Sequence, residues 1–140
     1  MKSIADGPNW LLRLNKDERL IKALSQFVRE QGIKAAWLNG LGGALWAELG
    51  FYDLPAKQYH WQKLDQLLEI TSLEGNVAWS NEEPTLHLHG TFANAKLQAF
   101  GGHIKELAVA GTCEIFLQSL PQTALTRSTD DAVGLNLLNL

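Results

Sequence analysis

Residues 85–104 read TLHLHGTFANAKLQAFGGHI. Leu86, Leu88, Gly90 and Phe92 alternate with His87, His89 and Thr91. Period-two alternation marks a strand with one face in a core. Same-face side chains on a strand lie roughly 6.5–7 Å apart, so His87 and His89 stand side by side. Two rings so placed can converge on one metal ion, with Zn–N distances of about 2.0–2.1 Å. His103 follows Gly101-Gly102, where missing side chains let the backbone turn sharply or pass close to a neighbour. The working expectation is that His103 closes a three-histidine site. The alternative is a set of strand-face histidines with no ligand, because no Cys, Asp or Glu lies in the same stretch.

Upstream, residues 9–14 (NWLLRL) predict a first strand after the Gly7-Pro8 break. Asn15 and Glu18 have the spacing of a capping box, so a helix is predicted over residues 16–31. Leu20, Leu24, Phe27 and Val28, with Ile21 beside them, form its apolar stripe, and Gly32 is placed to end it. Residues 34–41 and 45–52 predict two strands around Gly40-Leu41-Gly42-Gly43. That loop lacks the lysine of a phosphate-binding loop. It reads as a tight hairpin or as a place where backbones pack closely. Residues 59–64 predict another strand, and 67–79 one or two, with a turn or bulge at Gly75-Asn76.

Downstream of the histidines, residues 107–120 predict a long strand with a bulge at Gly111, stopped by Pro121. Residues 122–132 are polar and predict an exposed excursion, and 134–140 a closing strand. One helix and seven or more strands give an α+β class with a mostly antiparallel sheet, in one domain over residues 1–140. Most of the five tryptophans are expected in the core, with Trp61 partly exposed beside His60.

The chain has 140 residues, 46% hydrophobic and 19% charged, with a net charge of −3. This composition belongs to a folded globular domain. Its four arginines, Arg13, Arg19, Arg29 and Arg127, are scattered. The electrostatic footprint of a nucleic-acid binder is missing. Cys113 is the only cysteine and sits in an apolar run, so it reads as a small core residue. The N-terminal residues lack the apolar region of a signal peptide, and no apolar run is long enough to cross a bilayer. A cytoplasmic location is the expectation.

These segments, in this order, resemble the PPC domain, which plants and prokaryotes share and which in plants accompanies AT-hook motifs. Leu12-Arg13-Leu14 with the helix over 16–31, and residues 35–43, match its opening. Residues 68–75 (LEITSLEG) match its phenylalanine-glutamate-isoleucine-leucine segment. His87-Leu88-His89, Gly101-Gly102-His103, residues 110–115 and the tail over 127–140 with Gly134-Leu135 complete the likeness. It implies a homotrimer, and a zinc ion on His87, His89 and His103 as in prokaryotic relatives. The broad fold is also similar to acetolactate decarboxylase and to zinc-dependent ester hydrolases. The sequence departs from the family by lacking an Arg-Gly-Arg-Pro core. It also has Gln66-Leu67 for a glycine-arginine pair and Leu68 for the phenylalanine.

The function this resemblance implies first is a DNA-associated regulatory or interaction module, with protein partners. The alternative is a zinc-dependent hydrolase or decarboxylase acting on a small molecule, with Glu48, Glu69 and Glu114 as candidate acid–base groups. A third reading is an assembly whose metal is structural or incidental.

Overall fold

In a computed structural model of residues 1–140, nine strands and one helix follow in the order β1 (Lys2–Asp6), β2 (Asn9–Asn15), α1 (Leu20–Glu30), β3 (Ala36–Asp53), β4 (Gln58–Leu64), β5 (Leu68–Ser80), β6 (Glu83–Ala93), β7 (Ala99–Ser119), β8 (Arg127–Asp130) and β9 (Leu135–Leu138). The first seven strands form one antiparallel sheet in the order β1-β2-β7-β6-β5-β3-β4. β7 also pairs with β3, so the ladder closes into a ring β7–β6–β5–β3–β7. β8 and β9 form a separate two-stranded hairpin. The fold is the α+β class predicted. No helix is long and apolar enough to cross a membrane.

The core follows the alternation. Leu88, Phe92, Leu73, Val77, Ile115 and Leu117 are at most 2% exposed, and Leu20, Leu24, Phe27 and Val28 of α1 pack onto the same cluster. Burying side chains of this size is the main stabilising term, about 1.5–3 kcal/mol each. None of the five tryptophans is fully buried, contrary to expectation. Trp10 and Trp79 pack on the margin of the core, while Trp37 and Trp61 are exposed. Trp79 still satisfies its indole N–H on the Ile33 carbonyl at 2.9 Å.

Six local expectations are corrected. The helix begins at Leu20, not at residue 16, because Asp17 takes a left-handed conformation (φ 69°). Asp17 N–H and Glu18 C=O instead bond to Val109 of β7. Glu18 does reach back to the Asn15 N–H at 2.6 Å, but Asn15 caps nothing. The cap comes from Glu106 of β7, whose carboxylate accepts the N–H groups of Ile21 at 2.8 Å and Lys22 at 3.4 Å. Gly32 (φ 64°) follows the helix end as predicted.

The two strands predicted around residues 40–43 are one strand of 18 residues, bulged between Gly40 and Gly42. A Cβ at Gly40 would lie 2.6 Å from the Glu114 carbonyl oxygen, so close backbone packing against β7 is what these glycines permit. β5 likewise runs through Gly75-Asn76 without a break, and its irregularity falls between Ile70 and Ser72. The strand predicted over 107–120 begins already at Ala99 and carries His103. β3 and β7 shift register between Gly42 and Ala44, opposite Gly111, where the bulge was predicted. The closing strand β9 pairs with β8, inside the predicted excursion, and not with the main sheet.

Candidate metal centre

His87 and His89 lie on β6 and point away from the core, while Leu88 and Gly90 between and beyond them are buried. His103 lies on β7 directly opposite His89 in the antiparallel register. Across β5, Asn76 faces His87 and Glu74 faces His89. The alternation of one strand and the pairing of a second therefore bring three imidazoles to one patch. Their candidate ligand nitrogens all lie within 4.8 Å of one another. His87 Nε2 and His89 Nε2 are 3.2 Å apart. Bonds of 2.0–2.1 Å to a tetrahedral ion would separate ligand nitrogens by about 3.3 Å.

Glycine makes the approach of His103 possible. A Cβ at Gly102 would lie 2.8 Å from the Gly50 carbonyl oxygen, so only glycine lets β7 settle against β3 here. Gly50 is itself crossed by the Trp61 ring, 2.5 Å from where its Cβ would stand. Trp61 stacks on Tyr59 with centroids 4.6 Å apart, and Tyr59 lies 5.1 Å from His103. These rings from β4 wall one side of the histidines.

Burial pushes the His103 imidazole down to about 4, helped by the neighbouring charges of His87, His89 and Arg127. His87 is lowered for the same first reason, with Arg127 and His89 adding to it. Both rings are therefore neutral at pH 7, the state that ligates a metal without first releasing a proton. His103 Nδ1 is buried and has no hydrogen-bond partner. Buried ring nitrogens are normally paired, so an orphaned one in a cluster of three imidazoles fits a divalent cation.

Arg127 at the start of β8 completes the surroundings. Its Nη2 donates to Asn76 Oδ1 at 2.8 Å and lies 3.4 Å from His87 Nδ1. Its Nη1 donates to the Asn136 carbonyl at 2.8 Å. The hairpin carrying it is pinned by Tyr52 Oη to the Val133 carbonyl and Lys57 Nζ to the Asp131 carbonyl, each 2.6 Å.

The histidine cluster contains none of the three glutamates considered as acid–base groups. Glu48 binds Lys105 at 2.8 Å, Glu69 is exposed opposite Ala93, and Glu114 pairs in register with Arg13. Sequence reasoning missed Arg127, Asn76 and Tyr59. Asn76 was open to inference, since a β5–β6 hairpin through the turn at residues 81–82 sets it against His87. Arg127 was not, because its placement depends on where the terminal hairpin folds back.

The family model for the Plants and Prokaryotes Conserved (PCC) domain, also written PPC, matches residues 1–121. The chain belongs to the PCC domain family. Three solved structures place the PPC fold beyond the sequence match. The plant- and prokaryote-conserved (PPC) protein of Pyrococcus horikoshii is 32% identical, with TM-score 0.90 over 96% of this chain and 92% of that one. The "metal-containing protein AF0104" of Archaeoglobus fulgidus is 34% identical, with TM-score 0.90 over 96% and 94%. A "putative DNA binding protein" of Bacteroides thetaiotaomicron is 27% identical, with TM-score 0.94 over 99% and 96%. A curated relative, the bifunctional protein GlmU of a Synechococcus strain, is 30% identical over 125 residues. Those residues are 88% of this chain and 18% of the relative, so the chain spans under a fifth of that relative's length.

Proposed function

We propose that the chain works as a homotrimer of PPC domains, each holding a divalent ion, zinc in the first instance, on His87, His89 and His103, and that this centre acts on a small molecule. The observation that carries the reading is the patch of three imidazoles with its orphaned His103 Nδ1. No protein carboxylate belongs to the cluster. Zinc held by His87, His89 and His103 would supply Lewis-acid chemistry there, activating a water or polarising a carbonyl. The chain's own part is to keep the imidazoles neutral, to wall the site with Tyr59 and Trp61, and to set Arg127 beside it.

This order reverses the one drawn from resemblance alone, since the geometry of the three imidazoles bears on metal chemistry. DNA association is kept as the second reading because of how the Bacteroides relative is described. A salt series separates the two. Specific DNA binding weakens steeply as salt rises, and a protein that binds no duplex even at low salt has no direct role there.

Trimer formation is supported by an exposed apolar face. Ile4, Leu11, Leu41 and Phe116 are 43–67% exposed and border a concavity of about 860 Å³ between β1, β2, β7, β3 and β5. Apolar patches of this kind on a small domain mark contact surfaces. The test of the chemistry is a panel of esters and keto acids turned over by metal-loaded protein. Turnover that a chelator does not abolish would contradict it.

A further inference from the structure

The metal reading leaves one cation beside the histidines with no anion to answer it. Arg127 takes part in none of the chain's ion pairs. The groups that face it are Asn76 from β5, His87 from β6, Tyr59 from β4 and the Asn136 carbonyl from β9. All are uncharged at neutral pH when the imidazole is neutral. Its Nε is buried and without an acceptor. A guanidinium has five N–H donors and no way to shed its charge. Half-buried arginines are ordinarily paired, and this one is fixed in place by two 2.8 Å hydrogen bonds and a pinned hairpin.

We infer that Arg127 recognises the carboxylate of a small substrate bound over the three-histidine centre. This rests on the metal reading above. A divalent ion on the histidines would add positive charge beside the guanidinium, and Glu74, opposite His89 on β5, is not one of the clustered ligands. Such a site selects an anion. Guanidinium geometry matches a carboxylate. The Tyr59–Trp61 stack offers the ligand's body a flat apolar wall. One guanidinium and an aromatic wall suit an apolar monocarboxylate better than a phosphate dianion. Arg127 lies on the terminal hairpin, beyond the residues 1–121 matched by the family model.

The test uses the full chain loaded with cobalt(II), whose visible spectrum changes when a ligand enters the metal's open position. Metal stoichiometry is measured first for wild type, Arg127→Gln and Arg127→Lys. Each protein is then titrated with benzoate, acetate and inorganic phosphate. The expected result is equal metal content and a benzoate Kd raised about tenfold or more in Arg127→Gln, the loss of one charge-assisted contact. Arg127→Lys should be weakened less. An unchanged Kd in Arg127→Gln, or a wild-type spectrum indifferent to all three anions, overturns the inference. Arg127-dependent binding of phosphate alone overturns the carboxylate assignment.

Should Arg127→Gln not fold, Arg127→Lys decides, because a point charge cannot match the fork and an unchanged Kd there is equally fatal. If wild type takes up no metal, the metal reading has failed separately. Arg127 is then judged on metal-free protein by whether benzoate raises its unfolding temperature and whether Arg127→Gln abolishes that rise. No rise in wild type overturns the inference.

Discussion

His89 on β6 and His103 on β7 are register partners across an antiparallel ladder, with ring centroids 5.4 Å apart and planes at 88°. His87, two residues along β6, stands 5.1 Å from each of them. The centre is thus a property of the sheet itself. Moving either strand by one residue would turn its histidines into the core or out of reach.

Gly102 should be intolerant of substitution for that reason. In Gly102→Ala the new Cβ meets the Gly50 carbonyl oxygen at 2.8 Å, and backbone cannot swing aside as a side chain can. We predict a loss of about 1–3 kcal/mol in urea unfolding, together with weaker metal binding as β7 lifts His103. Wild-type stability with wild-type metal affinity would contradict the packing described.

Glu106 should matter more than a surface carboxylate. It is 8% exposed and accepts three backbone N–H groups, from Ile21, Lys22 and Leu107. Glu106→Ala removes the only cap of α1 and strands those donors, at a cost of about 2 kcal/mol or more. Glu106→Gln keeps one acceptor oxygen and should cost less. Equal losses in the two variants, measured by chemical unfolding, would show that the carboxylate acts as filler and not as a cap.

The metal-free protein should lose stability in mildly acidic solution. His103 has a folded pKa of about 4 against an ordinary 6.5. Between these values the unfolded chain takes up a proton that the folded chain refuses, so stability is complete above pH 6.5 and falls as pH drops towards 4. His103→Gln should flatten that part of the profile. Melting temperatures with the same slope in both proteins would remove His103 from the account.

Charge on the apolar face should dissolve the assembly. Phe116 and Leu41 are 43% and 57% exposed on the face proposed for trimer contacts. Phe116→Asp combined with Leu41→Asp should shift the mass in light scattering from three times the 15.5 kDa chain to a single chain, leaving the circular dichroism unchanged. A wild-type chain that is already monomeric would refute the trimer.

Much of this architecture could be read from local pattern. The alternation of residues 86–92 places Leu88 and Phe92 inward and His87 and His89 outward. The stripe of α1 is buried as its spacing requires. Errors arose where a distant segment overrides a local signal. The glycines at 40–43 look like a turn, but β7 lies across them and needs their bare backbone. Asn15 looks like a cap, but Glu106, far along the chain, takes that place. At the site, the spacing of His87 and His89 is a strand property and was legible. The meeting with His103 depends on the hairpin register and was only an expectation. Arg127 depends on the C-terminal fold-back, for which local sequence carries no signal.

The most direct measurement is the metal content of protein purified without a nickel column, in wild type and in His87→Ala, His89→Ala and His103→Ala. The account predicts close to one divalent ion per chain in wild type. Each folded variant should bind it more weakly by over about a hundredfold, beyond what losing a ligand's supporting hydrogen bond costs. Metal retained at wild-type level in any of the three variants, or a wild-type chain that binds none when zinc is supplied, would contradict the three-histidine centre.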